Sequence, residues 1–263
     1  MSDNRNLEFE IEVAGSPEEV WEMIATGPGI SSWYVPHTVD EHEGGSATAR
    51  FGPGPDMEVP VRVAAWNPPK RIVFDGGEDV EGLAFEWLVE GRDGGTCVVR
   101  LVNSGFGSGD DWDAQYDAMG EGWLMFLQNL KLRLAHFPNE TATAVVPTAN
   151  WTGARDDAWS HLASELGIPH EPAVGDRVHV QADDAPALAG VVADATPWRL
   201  SLVVDEPVPG TAIIAAESVG DAICVSVWTY LNGSDGAAIA ASDETSWQRW
   251  LESHATNDVS PLA

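Results

Sequence analysis

The stretch from Glu12 to Phe137 is written a second time further along the chain. Ser16-Pro-Glu-Glu-Val-Trp21 finds an echo in Arg155-Asp-Asp-Ala-Trp159, and Trp66-Asn-Pro-Pro-Lys-Arg-Ile-Val-Phe74 finds one in Ala195-Thr-Pro-Trp-Arg-Leu-Ser-Leu-Val203. Gly94-Gly-Thr-Cys-Val-Val-Arg-Leu101 pairs with Gly220-Asp-Ala-Ile-Cys-Val-Ser-Val227, and a helical pattern around Trp123 pairs with one around Trp247. A repeat period of about half the chain means two copies of one module, which removes most other topologies from consideration. With 263 residues, each copy has enough chain to bury a core of its own. The expected division is a first domain over 1–137, a linker over 138–150 and a second domain over 151–263.

The first copy is the more legible. Leu7-Glu-Phe-Glu-Ile-Glu-Val13 alternates strictly and predicts a half-buried strand. Ser16, Pro17 and Glu19 are spaced as a capping box with proline in the first turn, so a short helix follows, with Val20, Trp21 and Ile24 on its apolar face. Gly27-Pro-Gly29 is read as its end, and Ile30 to Val35 as a second short helix or turn. Strands are expected over 38–43, 46–51, 57–66, 71–74, 83–90 and 96–104, with hairpin glycines at Gly44-Gly45 and Gly94-Gly95. The period then becomes helical. Trp112, Tyr116, Met119, Trp123, Phe126, Leu127, Leu130 and Leu134 recur at three and four residues, which predicts one long helix over 110–136. Gly120 and Gly122 lie inside it, and close packing or a bend is expected to offset their cost of about 1 kcal/mol each.

Ser16-Pro-Glu-Glu-Val-Trp21, the Gly44-Gly45 hairpin, Trp66-Asn-Pro-Pro-Lys-Arg71, Gly94-Gly-Thr96, Asn103-Ser-Gly-Phe106 and Gly122-Trp-Leu124 together resemble the START-like (SRPBCC) superfamily. Within it they are similar to proteins related to the activator of the 90-kDa heat-shock-protein ATPase. The resemblance covers residues 5–137. It implies an α+β chain of two tandem helix-grip domains, each a curved antiparallel sheet wrapped around a C-terminal helix, with an apolar cavity between sheet and helix. The second copy departs further from the pattern. Its strands are read over 175–180, 187–193, 200–204, 212–217 and 223–231, and its last helix only over 243–254, about half the length of the first. It lacks the Asn-Ser-Gly-Phe turn, so a shallow cavity or none is expected there. Its expected role is to pack on the first copy as an intramolecular pseudo-dimer.

Composition narrows the partners. Thirteen Lys and Arg against 42 Asp and Glu leave a net charge of −29, which repels the nucleic-acid backbone and anionic lipid. A basic protein partner stays open on the same ground. No apolar run approaches the ~18 residues needed to span a bilayer, and the first residues lack a signal-peptide pattern, so a cytoplasmic location is expected. Cys97 and Cys224 sit at matching places in apolar strand runs and read as small buried hydrophobes.

No metal or cofactor is expected. The seven His residues show no zinc-binding spacing, and no phosphate loop, dinucleotide fingerprint or nucleophile elbow occurs. Asp110, Asp111, Asp113 and Asp117 gather at a helix start, where negative charge is favoured in any case. The aromatic inward face carries the functional signal. Trp33, Tyr34, Phe51, Phe85, Trp87, Trp112, Tyr116, Met119 and Trp123 are the candidate cavity wall. The leading reading is a non-enzymatic protein that binds a small apolar or aromatic ligand there. A chaperone-regulator-like partner-binding protein is the second reading. A cyclase-like or hydrolytic enzyme is the third, with Tyr116 or His37 as its candidate catalytic residue.

Overall fold

The structure, a computed structural model, describes residues 5–52, 55–76, 83–106, 110–169, 171–182, 184–219 and 222–255, with side chains apart from those of 55, 110–115, 117–118 and 219. The chain divides into two compact units, Met1–Ala142 and Thr143–Ala263.

The first unit runs β1 (Arg5–Ala14), α1 (Pro17–Ala25), α2 (Gly27–Ser31), β2 (His37–Val39), β3 (Ser46–Arg50), β4 (Glu58–Asn67), β5 (Arg71–Asp75), β6 (Ala84–Arg92), β7 (Thr96–Phe106) and α3 (Asp110–His136). The capping box at α1 is complete. Ser16 Oγ accepts from the Glu19 amide at 3.3 Å, and the Glu19 carboxylate accepts from the Ser16 amide at 2.8 Å. Such a cap contributes about 1 kcal/mol.

The first helix ends just before Gly27-Pro-Gly29, but that segment opens α2 itself, so the second helix starts three residues earlier than Ile30. Thr26 closes α1 and caps α2 at once, its hydroxyl accepting from the Gly29 amide at 3.0 Å. Gly29 is needed because the turn brings the chain back onto α1. A Cβ there would lie 1.8 Å from the Glu22 carbonyl oxygen. The glycines that looked like a stop serve a tight helix-to-helix corner.

The sheet order is β1-β7-β6-β5-β4-β3-β2, every described pair antiparallel. Placing β1 beside the last strand leaves β1 and β2 as the two edges of an open sheet, and α3 packs against it beside β1. Its register aligns Ile11 with Val99 and Val13 with Cys97, while β6 aligns Phe85 with Asn103 and Trp87 with Leu101. The alternation read from the sequence therefore delivers one apolar face. Against it, α3 buries Trp123, Phe126, Leu127 and Leu130. Burying each large apolar side chain contributes about 1.5–3 kcal/mol before chain entropy is counted. The compensation expected for the helix glycines is missing at Gly122, where an added Cβ would meet nothing within 4 Å; at Gly120 it would meet only Leu7, at an ordinary 3.7 Å.

The second unit runs β8 (Ala142–Val145), β9 (Thr148–Trp151), α4 (Arg155–Glu165), β10 (Arg177–His179), β11 (Ala189–Thr196), β12 (Arg199–Glu206), β13 (Gly210–Val219), β14 (Ala222–Asn232) and α5 (Gly233–Ser253). Its sheet order is β10-β11-β12-β13-β14-β8, with β9 also on β14. The opening strand again lies beside the last one, so both units share one topology. The repeated segments fall on equivalent elements: α1 and α4, the β4–β5 and β11–β12 turns, β7 and β14, and α3 and α5.

Two expectations are corrected here. The segment read as a linker carries β8 and β9, which extend the second sheet. Thr and Ala with few turn residues suit an edge strand as well as a connection. The last helix has 21 residues against the 27 of α3, not half its length. Asn232-Gly-Ser-Asp-Gly236 looked like a loop, but helix begins at Gly233. Gly236 sits so close to the end of β14 that a Cβ would lie 2.6 Å from the Leu231 carbonyl. The glycines let strand run directly into helix.

Under this sheet the space is filled. Trp151, Trp159, Leu162, Trp247 and Leu251 form one buried cluster with Leu200, Leu202, Ile214 and Val225. The Trp151 indole donates to the Leu251 carbonyl at 3.0 Å, and the Trp250 indole to Asp184 at 3.0 Å. Among the described residues no helix is long and apolar enough to cross a membrane.

Candidate ligand cavity

In the first unit the sheet and α3 enclose a cavity of about 230 Å³. Its floor is the turn after α2. Trp33 is fully buried there, its indole donating to the Met23 carbonyl at 2.7 Å, while its own carbonyl accepts from the Asn129 side chain on α3 at 2.9 Å. These two bonds fasten the turn to α1 and α3 and so set the position of Tyr34. The Tyr34 ring lies at the centre of an aromatic cluster. Its centroid is 4.4 Å from Phe126, 5.1 Å from Trp123, 5.7 Å from Trp33 and 6.0 Å from Phe51. Trp123 in turn stands edge-on to Phe85 and Trp87 at 5.6 and 5.5 Å. Offset and edge-to-face rings interlock rigidly, and rigid rings do not collapse to fill a gap.

Seven of the nine residues expected in the wall line this cavity: Trp33, Tyr34, Phe51, Phe85, Trp87, Met119 and Trp123. Tyr116 does not. Its hydroxyl donates to the Asn6 carbonyl at 3.0 Å, and its ring lies under the Arg5 guanidinium and against Phe106. Helical spacing put Tyr116 on the apolar stripe, but its phenol is anchored to β1 instead. Trp112 lies outside the described side chains, as do Asp110, Asp111, Asp113 and Asp117.

The aromatic search missed aliphatic contributors. Ile24, Ile30, Ala49, Val61, Phe74 and Leu83 also line the space. The inward phase of strands β3–β6 could have pointed to them. Ala49 matters because it is small: a large residue on that inward face would fill the cavity. Val59, 45% exposed, and exposed Pro60 form the part of the lining that meets solvent.

Among the described residues, the lining contains no Lys, Arg, Asp or Glu. Three side chains bring polar atoms that have no partner among the described residues: the Tyr34 hydroxyl, the Trp87 indole N–H and one nitrogen of His37. The His37 ring uses Nδ1 against the Val35 carbonyl at 2.7 Å, and its backbone amide donates to Ser31 Oγ at 2.8 Å. Burial pulls its pKa down to about 4, outweighing the opposing pull of the Val35 bond. Burial likewise pushes the Tyr34 phenol above its ordinary value. Both groups are therefore neutral around pH 7.

Asn103, from the Asn-Ser-Gly-Phe turn, holds the wall from behind. Fully buried, it donates to the Ala84 carbonyl at 3.2 Å and accepts from the Trp123 indole at 3.4 Å. Elsewhere, Cys97 is buried with its thiol toward the Gly15 carbonyl, and the Cys224 thiol is pushed up to about 12 by burial. Neither environment activates a thiolate. Among the described residues no three His, Cys, Asp or Glu side chains are placed to hold a metal. The second unit has a larger groove, about 810 Å³, between α4 and the β11–β12 turn. Its lining residues Asp156, Ser160, Ser164, Thr196 and Pro197 are exposed, so it is an open surface feature. Its polar rim is already paired: the Trp198 indole donates to Asp156 at 2.5 Å under the Arg155 guanidinium.

Residues 14–135 match the model of the activator of Hsp90 ATPase homolog 1-like protein family. No curated protein matches the sequence. Among solved structures the chain is similar to the Aha1 dimer from Colwellia psychrerythraea, at 20% identity over 49% of this chain and 96% of that one, with a TM-score of 0.42. It is also similar to BexL, a di-domain ARO/CYC from the BE-7585A biosynthetic pathway, at 18% identity over 96% of this chain and 99% of that one, with a TM-score of 0.44. DynU16, a putative protein in the dynemicin biosynthetic locus, aligns at 18% identity over 93% and 94% of the two chains, with a TM-score of 0.42. The match over residues 14–135 falls within the first unit, which is therefore similar to the activator of Hsp90 ATPase homolog 1-like family.

Proposed function

We propose that this protein is a non-enzymatic binder of a small hydrophobic, aromatic molecule, held in the cavity of the first unit. The observation that carries the reading is an apolar space of about 230 Å³ walled by aromatic rings, with no charged side chain among the described residues of its lining. An engineered apolar cavity of about 150 Å³ stays dry and takes up benzene, so this space suits a ligand of one to two rings. It lies just below the usual range for drug-sized pockets, about 300–1,000 Å³, which argues against a long acyl chain or a polycyclic ligand. The enzymatic reading loses its Tyr116 candidate, because that hydroxyl is committed to Asn6 and stands away from the lining. The second unit, whose corresponding space is filled by Trp151, Trp159 and Trp247, acts as a structural partner.

Naphthalene is the test molecule. Binding to the native state alone raises stability by about 2.7 kcal/mol at a hundredfold excess over Kd, a shift of several degrees in Tm. The full chain is expected to show this shift together with changed Trp fluorescence. Ala49→Phe, which fills the cavity from β3, is expected to abolish both. An unchanged Tm and fluorescence in the parent chain, or undiminished binding in a folded Ala49→Phe variant, counts against the cavity as the site.

A further inference from the structure

The polar atoms of the cavity specify more than an apolar guest. A carbonyl oxygen can only accept, so the 2.7 Å contact between His37 Nδ1 and the Val35 carbonyl puts the proton of the neutral ring on Nδ1. His37 Nε2 is then a bare acceptor, in a residue that lines the cavity and has no other polar partner among the described residues. The neighbouring Tyr34 ring, 5.5 Å away between centroids, carries a hydroxyl with no partner among the described residues, and the same holds for the Trp87 indole N–H. The three groups are complementary: one accepts only, one donates only, and one does either.

A hydrocarbon in this space would leave all three desolvated and unpaired. An anion would meet the lone pair of Nε2 and no cation, since the described lining has no Lys or Arg. A hydroxyl group is the smallest substituent that both donates and accepts. From this geometry we infer that the cavity selects a neutral hydroxylated aromatic, of the phenol or naphthol class, whose hydroxyl donates to His37 Nε2 and accepts from Tyr34 or Trp87. The inference rests on the cavity being the ligand site proposed above. It assigns His37 a binding role and no proton transfer.

The test compares naphthalene, 2-naphthol, 2-methoxynaphthalene and 2-naphthoate by calorimetric titration of the full chain at neutral pH. 2-Naphthol is expected to bind about tenfold tighter than either neutral analogue, the effect of one donor–acceptor pair formed or left open. Naphthalene is smaller and 2-methoxynaphthalene larger, so a preference that rises or falls steadily with size cannot produce that order, and a fit to the intermediate size would survive in His37→Leu. The methoxy compound is also the more apolar, so hydrophobicity opposes it. 2-Naphthoate is expected not to bind. In His37→Leu the preference for 2-naphthol should fall to about twofold or less while naphthalene affinity holds. Should that variant not fold, the ratios in the parent chain decide the question alone. Equal affinities for the three neutral compounds overturn the inference and leave the cavity reading intact. A preference that survives in folded His37→Leu overturns it too, and binding of none overturns both.

Discussion

Asn103 and Trp123 should be energetically coupled, and the strength of that coupling can be worked from their geometry. Asn103 is fully buried at the end of β7, and its Oδ1 accepts from the Trp123 indole at 3.4 Å. Asn103→Leu keeps the volume but strips the partner from a buried N–H. An orphaned buried donor costs about 1–3 kcal/mol, partly offset by the more apolar side chain. Trp123→Phe leaves Asn103 Oδ1 orphaned instead and trims one ring from the wall. In the double variant neither group has a lost partner, so the two costs overlap. The 3.4 Å separation is longer than the 2.7–3.2 Å of a strong N–H···O bond, so the coupling belongs at the weak end, about 1 kcal/mol. Six Trp stand before residue 143 and six after it, so bulk fluorescence would blend the two units. Native-state hydrogen exchange of peptides covering β6 and β7, read by mass spectrometry in the full chain, isolates the first unit. Costs that add to within about 0.3 kcal/mol would refute the idea that this contact holds the cavity wall.

Three further outcomes are expected. Gly122→Ala should stabilise α3 by about 1 kcal/mol, since nothing stands where the methyl would go, whereas Gly236→Ala should cost about 1–3 kcal/mol because its Cβ meets the Leu231 carbonyl; thermal unfolding separates the two signs. Burial holds the His37 pKa near 4, below the ordinary 6.5, so the unfolded chain binds the extra proton first as pH falls. The stability tied to a neutral His37 is therefore complete above about pH 6.5 and is lost as pH drops towards 4. His37→Gln should flatten that part of the stability curve, and parallel curves for parent and variant would show that the imidazole stays accessible. Finally, a net charge of −29 repels itself, so Tm should rise as sodium chloride increases from about 10 mM to about 0.5 M. A fall in Tm would mean that the surface ion pairs, such as Arg177 with Asp205, outweigh the repulsion.

Periodicity carried the fold because both kinds of element here are amphipathic. The β1 alternation of Leu7, Phe9, Ile11 and Val13 and the α3 stripe through Trp123, Phe126, Leu127 and Leu130 each point one way, and a sheet around a helix is what joins two such faces. Glycines were the weak point. Gly29 read as a helix stop and Gly236 as part of a loop, yet each permits an approach of backbone to backbone that only a tertiary neighbour explains: the Glu22 carbonyl in one case and the Leu231 carbonyl in the other. A local pattern cannot tell a glycine that ends an element from one that lets two elements touch. The same limit applies to Tyr116. Spacing placed it on the stripe, but whether its hydroxyl faces the cavity or Asn6 depends on where β1 crosses the helix.

The difference between the two units is one of filling. Both place the opening strand beside the last one and end in a helix, and both bring Trp to that helix. In the second unit Trp247 meets Trp151, Trp159 and Leu162, and α5 brings Leu251 as well, so that rings and aliphatic chains interlock into one cluster. In the first unit Trp123 meets Phe85 and Trp87 edge-on and Tyr34 at a tilt, while the strand that would close the gap offers Ala49. A packed interior leaves few voids larger than water. Leaving about 230 Å³ open forgoes dispersion contacts that one larger side chain at position 49 would recover. Stability alone would favour that substitution, and the Nε2 of His37, without a partner among the described residues, is a second unmet demand in the same wall. Both features lie in the same cavity, and a guest that supplies the missing contacts and the missing hydrogen bond resolves both.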